Sequence, residues 1–128
     1  MCAVSVGCAA AGSGDNRLVG DAERGEVIYQ KCLGCHSLKY NRTGPRHCGL
    51  IGRRAGELPD FEYSDAMRLS RIVWTRETLD AFLAAPIEYV PGTSMGYAGI
   101  DKGQDRADLI SYIDMAGRSE KVCGSYVK

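Results

Sequence analysis

The densest chemistry in the chain lies in KCLGCHSL, residues 31–38, where Cys32 and Cys35 are separated by two residues and His36 follows at once. That spacing suits three chemistries. Two thiols can add to the vinyl groups of a haem while the adjacent imidazole ligates its iron. Thiolates and an imidazole can hold a zinc ion, and a C-x-x-C pair can cycle between dithiol and disulfide. The other cysteines are Cys2, Cys8, Cys48 and Cys123, so no second C-x-x-C completes a two-knuckle zinc site. Cys48 and Cys123 lie far apart in sequence and suit a long-range disulfide, which implies an oxidising compartment.

The elements that must position these groups read as helices. Asp21 is placed to cap a helix running toward Cys32, with Val27, Ile28 and Cys32 recurring near helical spacing. Gly25 inside that helix costs about 1 kcal/mol relative to alanine, so its place implies close approach of another backbone. From residue 37 to 59 the chain is punctuated by Gly44, Pro45, Gly49, Gly52, Gly56 and Pro59 and reads as loop. A short helix is expected over 64–70. A stronger one starts after Thr75 as cap, has Leu79, Phe82 and Leu83 on one face, and stops at Pro86. YVPGTSMGYAG reads as loop again. A last helix over 104–116 carries a stripe of Leu109, Tyr112, Ile113 and Ala116. No segment alternates with period two. The expected class is all-α with much irregular chain, and a large bound cofactor would supply the core that the side chains do not.

Bulk properties limit the rest. The chain has 128 residues, 45% hydrophobic and 25% charged, with 16 basic side chains balancing 16 acidic ones. That length suits one modest domain, read as 20–128 after a leader remnant or flexible tail at 1–19. The charge balance argues against nucleic acid as a partner. Residues 1–14, MCAVSVGCAAAGSG, are uncharged but too short to span a membrane. They resemble the end of an export signal without its basic opening. Membrane contact is expected only if Cys8 is lipidated.

A dithiol centre of the thioredoxin kind belongs beside a strand, and none is expected. Zinc would have to recruit Cys32, Cys35, His36, His47 and Cys48, but neighbouring Cys35 and His36 point apart on a helical turn. Haem fits the spacing directly but needs a second axial ligand. PGTSM, residues 91–95, offers Met95, the one methionine of Met1, Met67, Met95 and Met115 in a Pro-Gly-Thr frame.

With that segment the sequence resembles the class I c-type cytochromes of the mitochondrial and related bacterial type, from about Gly20 to Ala116. The markers stand in order: GDAERGEVIYQKCLGCH, TGPRHCGLIGRRAG, FEYSDAM, WTRETLDAFLAAPIEYVPGTSMGYAGI and DRADLISYI. The resemblance implies the cytochrome c fold, helices and long loops wrapped around one covalently bound haem c. It implies thioethers at Cys32 and Cys35, His36 as proximal and Met95 as distal iron ligand, and Pro45 orienting the His36 ring through its carbonyl. Arg53, Tyr63 and Trp74 match residues that bind or shield the haem propionates. Gly25, Tyr29, Leu109 and Tyr112 match the crossing of first and last helices. Arg54 is read as a solvated charge. His47 is read as a surface residue beside Cys48, with sixth-ligand duty as its rival role.

With both axial positions filled, no site is open for substrate, and the implied function is single-electron transfer between redox partners rather than enzymatic catalysis. A soft thioether and an apolar pocket both favour ferrous iron. The implied protein is a monomeric carrier in the periplasm, or another oxidising compartment outside the cytoplasm, meeting membrane or soluble oxidases, reductases or dehydrogenases. The alternatives are a haem enzyme or sensor with an opened distal site, and an electron-accepting subunit dedicated to one dehydrogenase. Three features depart from the family. Residues 84–99 hold one acidic residue, Glu88, and no lysine or arginine, where mitochondrial members place lysines. Phe82 replaces a tyrosine whose hydroxyl reaches the methionine sulfur. Cys48 and Cys123 form the expected disulfide between tail and loop.

Overall fold

In the computed structural model, which describes residues 18–124, the chain forms α1 (Ala22–Tyr29), a single 3₁₀ turn (Gln30–Cys32), α2 (Asp65–Arg68), α3 (Arg76–Ala84), α4 (Pro86–Tyr89), α5 (Gly103–Gly117) and α6 (Glu120–Cys123). Among the described residues the only β pairing is an isolated bridge between Arg54 and Val73. The expected lipidation site at Cys8 and the expected leader segment 1–14 lie outside these residues. None of the described helices is long and apolar enough to cross a membrane.

The helix boundaries follow from local chemistry. The Asp21 carboxylate accepts the Glu23 and Arg24 backbone N–H groups, satisfying donors that α1 leaves unpaired. Thr75 and Thr78 form a reciprocal capping box at the start of α3. Pro86 ends α3 and opens α4, where its missing N–H costs nothing. Two short helices were not expected: α4, and α6 with Ser119 as its cap.

α1 crosses α5 at Gly25. A Cβ there would stand 2.0 Å from the Asp108 carbonyl oxygen and 2.8 Å from the Tyr112 Cβ, so the approach of the two helices requires glycine. The crossing has a polar clamp. The fully buried Asp108 carboxylate accepts the Asp21 N–H at 2.8 Å, Arg24 Nη1 at 2.7 Å and Gln104 Nε2 at 2.8 Å. Burial works against the charge of Asp108, but these donors outweigh it and hold its carboxyl below the usual carboxylate range. α3 joins α5 through Arg76–Asp114 at 2.8 Å and Arg106–Asp80 at 2.7 Å. The face that α1 buries carries Gly25 and Tyr29, four residues apart, so Val27 falls on the solvent side, 65% exposed, against its place in the expected stripe.

Between the 3₁₀ turn and α2 the chain is irregular, as the glycines and prolines imply. It is tied down by backbone bonds from Gly49 N–H to Gly117 O at 3.1 Å, from Gly52 N–H to Trp74 O at 2.7 Å and from Ala55 N–H to Ile72 O at 2.8 Å. The Cys48–Cys123 disulfide, buried at both ends, ties the same loop to α6 with a Cα–Cα distance of 5.8 Å. The buried cluster beneath includes Tyr29, Leu50, Trp74, Leu79, Phe82, Leu83, Leu109 and Ile113.

Candidate functional site

Cys32, Cys35 and His36 stand on one tight turn. The Cys35 and His36 N–H groups both donate to the Cys32 carbonyl, at 3.1 and 2.8 Å. Gly44 N–H donates back to Cys35 O at 2.8 Å, and the Arg42 guanidinium reaches the Leu33 and His36 carbonyls from outside. Both thiols are free; Cys32 is half-buried against the core and Cys35 is exposed. Burial, followed by the neighbouring Cys35, pushes the Cys32 thiol up, a poor setting for a reactive thiolate.

His36 is buried, and its Nδ1 lies 2.8 Å from the Pro45 carbonyl oxygen. A carbonyl only accepts, so Nδ1 carries the proton and Nε2 is left with a free lone pair. Burial lowers the tendency of this ring to protonate, with the Pro45 bond opposing it. Gly44 completes the cradle. A Cβ at that position would come within 2.2 Å of His36 Cε1 and 2.5–2.6 Å of both ring nitrogens, so only a residue without a side chain lets the loop pass. A neutral imidazole with Nδ1 fixed by a carbonyl and Nε2 free has the orientation required of an iron ligand.

Met95 is half-buried and packs against the same cluster as Cys32. Its loop is shaped by Gly92, at φ 91°, and by Gly99, at φ 106°. A Cβ on Gly99 would strike the Ala84 carbonyl at 2.3 Å, and Ile100 N–H donates to Leu83 O at 2.8 Å, so the loop returns tightly onto α3. Met95 N–H donates to Thr93 Oγ1 at 3.2 Å.

Arg53 is half-buried and donates to the carbonyls of Arg46 at 2.8 Å and Cys48 at 3.4 Å. It also lies within electrostatic reach of Tyr63, whose hydroxyl is pushed up by burial against the pull of that guanidinium. Trp74 is buried, tilted against Phe82 with centroids 5.0 Å apart. Its indole N–H makes no hydrogen bond among the described residues, which leaves a donor for another acceptor. Arg54 is exposed, as expected. Phe82 is buried between Trp74 and Tyr89, with no polar group in its ring.

His47 is the correction. It is not a surface residue: it is 9% exposed, its Nδ1 lies 2.9 Å from the Tyr29 hydroxyl, and its ring stacks on His36 with centroids 4.2 Å apart and planes at 26°. Burial, then the His36 ring and the Arg53 guanidinium, keep it neutral. With its ring flat on His36 and its Nδ1 turned to Tyr29, His47 would not hold one group together with His36. The sequence signal for its burial was Tyr29, a tyrosine on the buried face of α1 whose hydroxyl needs a partner. Zinc loses its donors by the same geometry, because Cys48 is spent in the disulfide and His47 faces Tyr29. Among the described residues no group of three or more His, Cys, Asp or Glu side chains could hold a metal ion. The free thiol pair, the single oriented imidazole and the half-buried thioether fit a covalently held haem instead.

Comparison with known proteins agrees. No family model matches the chain. It is 48% identical over 98 residues to cytochrome c type-1 of Ascaris suum, covering 74% of this chain and 88% of that protein. It is 38% identical over 107 residues to cytochrome c2 of Agrobacterium tumefaciens, covering 79% of this chain and 96% of that protein. Among solved structures, cytochrome cH from Methylobacterium extorquens superposes with a TM-score of 0.73 at 36% identity, covering 75% of this chain and 99% of that one.

Proposed function

The chain belongs to the cytochrome c family and is a haem-bearing electron carrier, not an enzyme, and from that premise we propose that Cys32 and Cys35 hold its haem c as thioethers with His36 and Met95 as axial ligands. The observation that carries this assignment is the bond from His36 Nδ1 to the Pro45 carbonyl, which leaves Nε2 as the ligating nitrogen of the C-x-x-C-H turn. When bound, the haem supplies a one-electron ferric/ferrous couple.

The chain's own residues set how that couple behaves. Pro45 holds the imidazole in one tautomer, and Gly44 lets the loop pass close beside the ring. The buried cluster around Trp74, Phe82 and Leu83 excludes water, which disfavours the extra ferric charge. Arg53, Tyr63 and the Trp74 N–H supply the polar side of the pocket, where propionates are neutralised. The described part of the expected domain, residues 20–124, would enclose the haem as one unit.

Electrons are exchanged with redox partner proteins. The chain works as a monomer meeting membrane or soluble oxidases, reductases or dehydrogenases. The Cys48–Cys123 disulfide supports an oxidising compartment outside the cytoplasm, such as the periplasm. The test is the visible spectrum of protein matured in a host that attaches haem c. Sharp c-type bands on reduction with the weak far-red sulfur-to-iron band in the ferric state are expected. Absence of that band, with carbon monoxide binding to the reduced protein, would remove Met95 as ligand and favour a haem enzyme or sensor.

A further inference from the structure

The Tyr29–His47 pair is a buried polar unit that the attachment and ligation of the haem do not use. Tyr29 is 3% exposed and sits on the α1 face that meets α5, with its ring tilted on Tyr112 at 5.2 Å. His47 is fixed at its backbone as well as its ring. Its N–H donates to the carbonyls of Ser37 at 3.2 Å and Leu38 at 3.0 Å, and its carbonyl accepts Leu50 N–H at 3.0 Å. The next residue is locked by the disulfide to Cys123. A neutral imidazole so held presents one flat face, and that face lies on His36. A leucine of similar size would fill the space, so filling does not explain a polar ring whose nitrogen must find a buried partner.

We propose that His47 is a positioning residue for His36: held by the Tyr29 hydroxyl, its ring acts with the Pro45 carbonyl to fix the plane in which the proximal imidazole meets the haem. The Pro45 bond alone leaves the His36 ring free to tilt about the axis through Nδ1. A flat neighbour 4.2 Å away removes that freedom. The orientation of an axial imidazole governs the asymmetry of unpaired spin over the ferric haem, so it is readable in the paramagnetic shifts of the haem methyl groups. The inference rests on His36 being the proximal ligand.

The experiment uses full-length holoprotein in four forms: parent, Tyr29→Phe, His47→Leu and a control variant. Ferric NMR methyl shifts, reduction potential and thermal stability are recorded for each. Tyr29→Phe removes one oxygen and keeps every ring. It is expected to move the methyl-shift pattern away from that of the parent, and His47→Leu to move it further in the same sense. Val27→Ala, on the solvent face of α1 at 65% exposure, is the control expected to leave the pattern unchanged. If both variants lower stability while the methyl pattern and the potential stay at the parental values, His47 is only a core residue and the proposal is overturned. If His47→Leu fails to mature, Tyr29→Phe decides alone: a moved pattern supports the proposal and a parental one overturns it. Failure of the ligation itself is recognised separately, because the parent would then lack the histidine–methionine signature in its own ferric spectrum.

Discussion

Replacing Gly25 by alanine sets two effects of opposite sign against each other, so even the direction of the result is informative. Gly25 lies within α1 and its φ is not left-handed. In an isolated helix alanine would therefore stabilise, by up to about 1 kcal/mol. The crossing opposes this. The added Cβ would stand 2.0 Å from the Asp108 carbonyl oxygen, 2.6 Å from its carbon and 2.8 Å from Tyr112 Cβ. Ordinary C···O contact begins near 3.3 Å, so the helices must part by roughly 1 Å. Two of the three obstructing atoms are backbone of α5, which cannot swing aside as a long side chain would.

Overpacking of this kind costs about 1–3 kcal/mol. Parting the helices also stretches the bonds from Asp21 and Arg24 to the buried Asp108 carboxylate, each charge-assisted and worth about 1.5–3 kcal/mol when whole. After subtraction of the propensity gain, Gly25→Ala is expected to destabilise by about 2 kcal/mol or more, a fall in Tm of about 10 °C for a domain of this size. Guanidinium unfolding followed by circular dichroism measures it, with Val27→Ala, on the exposed face of the same helix, as the control. An unchanged or raised midpoint for Gly25→Ala would refute the crossing argument, since propensity would then have won.

Three further outcomes are expected. Replacing Cys48 and Cys123 together by alanine opens a loop closed across a sequence separation of 75, and chain-entropy arithmetic gives a loss of about 4 kcal/mol; unchanged denaturation midpoints in the oxidised parent and the double variant would contradict it. Asp108 is held below the usual carboxylate range in the folded chain, so its contribution is present above the unfolded pKa near 4 and is lost as pH falls through the lower folded value. The acid limb of the stability–pH curve should therefore flatten in Asp108→Asn, and parallel limbs would rule Asp108 out as a source of acid lability. Residues 84–99 carry only Glu88 as a charge and expose Ile87 and Tyr89, so electron-transfer rates with redox partners should depend weakly on salt; a steep fall in stopped-flow rate with ionic strength would show that charge elsewhere steers docking.

What the sequence made legible was set by neighbours along the chain. Asp21, Thr75 and Pro86 mark helix ends because a cap or a proline acts within one turn of itself. The C-x-x-C-H turn and Pro45 are likewise separated by only nine residues. The errors lie where distant packing decides. Val27 fits a helical stripe, but the buried face of α1 is chosen by α5, more than eighty residues away, and that face runs through Gly25 and Tyr29. α6 is four residues long, too short for a periodic signal, and is held by Ser119 and the disulfide. His47, beside Cys48, reads as a surface residue in the sequence; its burial depends on Tyr29 across the fold.

The same residues connect stability to the site. Gly25 admits α5, and one turn later Tyr29 enters the core with its hydroxyl 2.9 Å from His47. His47 lies on His36, and His36 is held in turn by Pro45 and by the missing side chain of Gly44. A shift of α1 by roughly 1 Å, the amount the added Cβ demands, exceeds what a hydrogen bond of that length tolerates. Folded Gly25→Ala protein should accordingly show the ferric methyl-shift change expected of Tyr29→Phe, although its substitution lies one turn before Tyr29. A parental pattern in Gly25→Ala beside an altered one in Tyr29→Phe would mean that α1 yields between residues 25 and 29, and that the crossing stabilises the fold without setting the ligand plane.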